Sequence, residues 1–364
     1  MQTRHRVISF FVVLLLLFGT AIWIRLSTGV SAAEPSARVE LPEKRTEFSR
    51  TYRNANGSLT TDISQEQLYY KDASGGLAPI DPALKSDAGG YKVDANSLKV
   101  RLGTSPADLV TMSGSTDPSA TVTYGPLDAE LATMPATKRG ERSVAYNSYK
   151  AGADLAYEVG PGRLKEKIVL SEAPKDEDFR FALRLENLTP KRQEDGSIAL
   201  LDKDGMAKIM IERPYMTDAL AGRTGAPDEA FTSWDVSMKI ESTGSGDYVL
   251  IITPDRKWLA DPARTWPITI DPTFSIVTGS TQDTYIRSDD PYDDYHFHTV
   301  GTVQVGAYSA AKQMRSLVQF GLSSIPAAAT VETATLNLTT EPYPVSTVNA
   351  PIPTRDRSRP TRTG

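Results

Sequence analysis

Pro254-Asp-Arg-Lys-Trp-Leu-Ala-Asp-Pro262 and Thr265-Trp-Pro-Ile-Thr-Ile-Asp-Pro272 lead into a set of alternating runs. These are Gln282-Asp-Thr-Tyr-Ile286, Val303-Gln-Val-Gly306, Arg315-Ser-Leu-Val-Gln-Phe-Gly-Leu-Ser-Ser-Ile-Pro326 and Ala329-Thr-Val-Glu-Thr-Ala-Thr-Leu-Asn-Leu338. Val303/Val305, Val318/Phe320/Leu322 and Ala334/Leu336/Leu338 alternate with polar or small residues. Side chains two apart share one face of a strand, so each run suits a strand with one face on a core. Ser324-Ile-Pro-Ala-Ala-Ala-Thr330 breaks the chain between two of them. Asp271-Pro272 reads as a hinge between two modules.

Upstream, the same grammar recurs at shorter intervals. Arg50-Thr-Tyr-Arg53 and Ser58-Leu-Thr-Thr-Asp-Ile63 flank the turn Asn54-Ala-Asn-Gly57. Further candidate strands are 97–102, 109–112, 120–124, 143–149, 154–159, 163–170, 178–186, 197–201, 206–212, 232–240 and 247–252. Gly89-Gly90, Gly160-Pro-Gly162, Asp195-Gly196, Asp204-Gly205 and Gly244-Ser-Gly246 separate many of them. Helix signals are confined to a turn or so near 106–109 and 258–264. Many short strands with regular turn signals predict an all-β fold. The expected architecture is a large sandwich-like leader region over 48–275, followed by an incomplete jelly-roll-type sandwich over 276–345. No fixed repeat period supports a solenoid or propeller.

The motifs resemble secreted bacterial proteins of the wall-associated, YD-repeat (Rhs-like) kind. Trp258-Leu-Ala-Asp-Pro262 with Thr265-Trp-Pro-Ile-Thr-Ile-Asp-Pro272 matches the end of their β-rich leader. Gln282-Asp-Thr-Tyr-Ile286 and Arg315 to Leu338 match a DNRLRE-type module, related to carbohydrate-binding modules. The resemblance implies surface display and implies no metal site. The YD repeats themselves are absent. That module runs further in the family, and only four good strand candidates follow Thr281, where a jelly roll needs about eight. The second module is therefore expected to be truncated, with an exposed strand edge that invites self-association.

The ends of the chain read differently. Residues 1–33 form an export signal: Arg4, His5 and Arg6, then the apolar run Val7 to Ile24, then Val30-Ser31-Ala32 for cleavage. An uncleaved anchor is the competing reading, since the run approaches the ~20 residues of a membrane span. No later stretch is apolar enough to span a bilayer. Residues 34–47 read as a flexible arm. Residues 346–364, with Pro351, Pro353, Pro360 and four arginines, read as a disordered tail.

Composition narrows the function. Cleavage removes Arg4, Arg6 and Arg25 and no acid, moving the net charge from −5 to about −8. An acidic chain with no basic patch argues against nucleic acid as partner. The chain has no cysteine, so disulfides and thiolate chemistry are excluded. Asp289, Asp290, Asp293 and Asp294 offer oxygens that suit Ca²⁺, which takes roughly six to eight. The spacing fits no EF-hand, and a solvated acidic loop is the simpler reading. His296 and His298 share a face if that stretch is extended. No Gly-x-Ser-x-Gly elbow exists, and no motif singles out a carboxylate pair. Tyr292, Tyr295 and Phe297 lie in the same polar loop, where flat rings suit stacking on sugars. Trp258 and Trp266 read as packing residues. The expected protein is a non-enzymatic, secreted, cell-surface β protein that displays or anchors, with cell-wall or extracellular polysaccharide as its ligand. The alternatives are a fragment of a secreted polysaccharide hydrolase and a structural segment of a toxin-delivery protein.

Overall fold

The computed structural model describes residues 38–175, 178–221, 231–277, 282–287, 306–307 and 313–338. Two large antiparallel sheets dominate. One has eight strands in the order Ser237–Ser242, Asp247–Thr253, Phe179–Glu186, Thr121–Pro126, Val110–Gly114, Leu98–Leu102, Gly90–Val93, Lys85–Asp87. The other has eleven, with Arg163–Leu170 at its centre between Ala153–Gly160 on one side and both Ile268–Asp271 and Thr273–Ile276 on the other.

The alternation in the sequence decides which face is buried. Leu155, Tyr157 and Val159 point inward from Ala153–Gly160, as do Leu164, Glu166, Ile168 and Leu170 from the next strand. Phe179, Phe181, Leu183 and Leu185 face the core from the other sheet. Tyr124 stacks on Phe181 within its own sheet at 4.8 Å between ring centroids. It meets Phe274 of the opposite sheet edge-on at 5.2 Å. Aromatic pairs of this geometry add to the hydrophobic stabilisation that apolar burial supplies. The all-β sandwich expected from the strand pattern is the fold observed.

Three expectations need correction. Asp271-Pro272 is not a hinge. Ile268–Asp271 and Thr273–Ile276 both pair with Arg163–Leu170, with Leu170 opposite Ile268 and Lys165 opposite Thr273. Proline has no N–H for the ladder, so the strand breaks there without leaving the sheet. The Pro272 carbonyl accepts from the Glu166 N–H at 3.0 Å. The sheet thus runs through the expected 275/276 boundary as far as Ile276.

The arm expected over 34–47 is ordered from 39 onward. Val39–Glu40 pairs with Ser49–Arg53, and Leu41 is buried. Glu40 accepts from Arg45 at 2.7 Å and from the Tyr69 hydroxyl at 2.9 Å. A buried leucine and a doubly bonded carboxylate outweigh the polar composition that suggested flexibility.

The third concerns 330–339. Gln282–Arg287 and Gln313–Gln319 are strands and pair with each other, with Gly306–Ala307 on the far side of the second. Residues 330–338 carry no strand, and Leu336 and Leu338 are 60% and 62% exposed. Alternation gives a chain two faces, but a strand also needs a neighbour to bond with. None of the described residues supplies one. The export signal, the C-terminal tail and Val303/Val305 lie outside the described residues. No helix among those described is long and apolar enough to cross a membrane.

Candidate functional site

A cleft of about 180 Å³ lies along the outer face of Arg163–Leu170. In a strand, residues i and i+2 share a side. Leu164 and Glu166 turn into the core, so Arg163 and Lys165 turn out together into the cleft. Glu212, Arg213 and Tyr215 line it from the segment after Ala207–Ile211, and Asp271 and Thr273 from the broken strand. Glu66, Arg142 and Glu158 complete its charged rim.

Asp271 is the hub. Only 5% of it is exposed. Lys165 Nζ lies 2.5 Å from Asp271 Oδ2. The Tyr215 hydroxyl donates to the same oxygen at 2.8 Å, and Thr273 Oγ1 donates to Oδ1 at 3.2 Å. Lys165 also reaches the Tyr215 hydroxyl at 3.2 Å. Arg163 pairs with Glu212 at 3.5 Å. Arg213 donates to the Trp234 carbonyl at 2.7 Å, and Trp234 packs on Tyr215 at 4.9 Å.

Burial raises the Glu212 carboxyl above its ordinary range, against the pull of Arg163. Burial and the Asp271 charge push the Tyr215 hydroxyl up as well. Behind the strand, Glu166 is fully buried, and burial lifts its carboxyl to about 7. Hydrogen bonds from Tyr157 at 2.7 Å and Tyr124 at 2.9 Å oppose that rise, and the nearby Asp271 charge adds to it. The cleft sets an amine against a carboxylate, with the raised carboxyl of Glu212 in the same lining and that of Glu166 behind the strand in the core.

None of these residues stood out as a site in the sequence, since they are spread from 66 to 273. One signal was there. In Arg163-Leu-Lys-Glu-Lys-Ile-Val-Leu170 the inward positions read Leu, Glu, Ile, Leu, so a carboxylate occupies a core position.

The residues singled out from sequence fare differently. Asp289, Asp290, Tyr292, Asp293, Asp294, Tyr295 and Phe297 lie outside the described residues. Among the described residues no group of His, Cys, Asp and Glu side chains could hold a metal ion. Trp258 and Trp266 pack against the core as expected. The motif around Trp258 is a folded knot. Asp255 accepts from the Trp258 N–H at 3.0 Å and from Ser233 at 2.9 Å. Arg264 lies 4.5 Å over the Trp258 ring and reaches buried Asp218 at 3.6 Å.

No known family profile and no solved structure matches the chain. Three curated relatives do. The "tRNA nuclease WapA" of Bacillus subtilis (strain 168) is 33% identical over 162 residues, which is 43% of this chain and 6% of the relative. The "tRNA(Glu)-specific nuclease WapA" of Bacillus subtilis subsp. natto matches at the same identity and coverage. The "tRNA3(Ser)-specific nuclease WapA" of Bacillus spizizenii is 32% identical over the same length. The matched stretch thus spans about one-sixteenth of these relatives' length. Their names correct the expectation of a non-enzymatic protein: all three are nucleases, and they act on tRNA.

Proposed function

We propose that this chain is the β-sandwich body of an exported, wall-associated protein whose activity is directed at tRNA. The observation that carries the reading is the 33% identity over 162 residues to proteins named as tRNA nucleases. The export signal read over 1–33 and the wall-associated resemblance of the 254–338 motifs support the location. The sandwich suits an exported body. Its two large sheets enclose one continuous apolar core, and it holds without any disulfide.

Two measurements test this on the protein as its own cell makes it. Fractionation should find the protein with the cell wall, and the wall fraction should cleave tRNA in a manner lost when the gene is deleted. Protein confined to the cytoplasm, or unchanged tRNA cleavage in the deletion strain, would overturn the reading.

The finer part of the proposal is association with wall polysaccharide through Tyr292, Tyr295 and Phe297. Aromatic faces beside polar groups suit sugar rings. Pull-down on a panel of insoluble wall polymers tests it. Tyr292→Ala with Tyr295→Ala should lose the binding, and failure of the parent protein to bind any polymer ends this part alone.

A further inference from the structure

We propose that Lys165 and Asp271 join in an intramolecular amide bond, a covalent cross-link between Arg163–Leu170 and the broken strand that follows Ile268. The inference rests on the cleft geometry and is independent of the proposed function.

Four observations converge. Lys165 Nζ and Asp271 Oδ2 are 2.5 Å apart, so the amine already lies beside the carboxyl it would attack. Asp271 is almost wholly buried, which limits the water that would reverse the reaction. The Tyr215 hydroxyl donates to Oδ2 at 2.8 Å, and Thr273 Oγ1 donates to Oδ1 at 3.2 Å. Both carboxyl oxygens therefore carry donors that stabilise the charge developing as nitrogen adds to carbon. Glu212 lines the same cleft, responds to the charges of both Lys165 and Asp271, and is kept prone to protonation by burial. In the proposed step Glu212 takes a proton from the amine and returns it to the departing oxygen. A buried ion pair also gathers hydrogen bonds on its carboxylate, so what sets this one apart is a second carboxyl, Glu212, lining the same cleft.

The step balances without a co-reactant. The ammonium of Lys165 gives up one proton, and the free amine adds to Cγ of Asp271. A C–N bond forms, one Cγ–O bond breaks, and the oxygen leaves as water with two of the three ammonium protons. The third stays on the amide nitrogen. Lys165 is 34% exposed, so the water has a way out. The product ties the centre of the large sheet to the strand break at Pro272, in a chain with no cysteine for any other cross-link.

Mass spectrometry of the purified protein decides the matter. The N-terminus is determined first, so that the calculated mass is known. The intact protein is expected to be lighter by one water. A proteolytic digest should yield one branched peptide containing both Lys165 and Asp271. Lys165→Arg keeps the cation and cannot form the amide, so it should show its full calculated mass. Tyr215→Phe should form the link several-fold more slowly. A parent protein of full mass with no branched peptide, after ageing at neutral pH, overturns the proposal. So does a loss of water that persists in Lys165→Arg. The digest of the parent protein answers the question even if a variant fails to fold.

Discussion

Glu166 and Tyr124 stand on opposite sheets and meet in the core, the tyrosine hydroxyl donating to Glu166 Oε2 at 2.9 Å. Tyr157, on the strand beside Glu166, donates to Oε1 at 2.7 Å. The carboxyl therefore bonds the two layers of the sandwich directly. A buried polar group costs little only when it is fully bonded, and this one has a donor on each oxygen.

The first prediction follows from the protonation of Glu166. Its carboxyl is raised from 4.5 to about 7, chiefly by burial. A raised value means that the folded state binds the proton more tightly than the unfolded state. The stability it contributes is complete below about 4.5 and is lost as pH rises toward about 7. The loss is about 3 kcal/mol over that window. Glu166→Gln cannot ionise and should flatten this part of the profile. Denaturant midpoints for both proteins across this range check it. Equal slopes in the two would contradict the assignment.

Gly125 and Gly57 should respond to alanine for different reasons. A Cβ on Gly125 would lie 1.9 Å from the Pro106 carbonyl oxygen. The carbonyl is backbone and a Cβ is fixed by its own backbone, so neither can turn aside. Gly125→Ala should cost about 3 kcal/mol. At Gly57 there is open space, but φ is +85° in the turn of a hairpin. Gly57→Ala should cost only about 1 kcal/mol, the strain of the left-handed backbone. Thermal melts of the two variants should rank them in that order.

Ala88 offers a change in the other direction. It is the first of two turn residues between Lys85–Asp87 and Gly90–Val93, with φ +38°, and Gly89 follows at +85°. Two-residue hairpin turns with both φ positive favour Asn-Gly. Ala88→Asn should stabilise the protein by about 0.5 kcal/mol. A lower melting temperature would contradict the turn assignment.

How much of this was legible depends on whether the signal is local. The inward faces of Ala153–Gly160 and Arg163–Leu170 follow directly from alternation, because each strand carries its own period. The ordered arm was missed because Glu40 finds Tyr69, a partner 29 residues away that composition does not reveal. The strand expected at 330–339 failed for the converse reason: its pattern was right, and no described neighbour bonds to it. Asp271 was misread because Asp-Pro is a strong local turn signal, and only the pairing of both flanking strands with Arg163–Leu170 shows otherwise. The cleft joins side chains from at least five separate stretches, so no window of sequence contains it.

The Trp258–Arg264 motif yields the last prediction. Arg264 covers the Trp258 ring at 4.5 Å and faces Asp218 at 3.6 Å, where the Asp218 side chain is fully buried. Asp218 also accepts from the Leu220 N–H at 2.9 Å and the Thr265 N–H at 3.3 Å. Those two bonds fix the loop, while the guanidinium balances the charge. Arg264 also pairs with Asp261 at 3.5 Å, but that carboxylate is half exposed and contributes little. Arg264→Met keeps the contact with Trp258 and removes the cation, leaving a buried carboxylate unbalanced. The expected cost is about 3 kcal/mol. Asp218→Asn keeps an oxygen acceptor and removes the charge, so the double variant should recover at least about 1 kcal/mol of that loss. A double-mutant cycle by urea denaturation measures the coupling directly. Strict additivity would show that the Arg264 guanidinium does not balance the Asp218 charge.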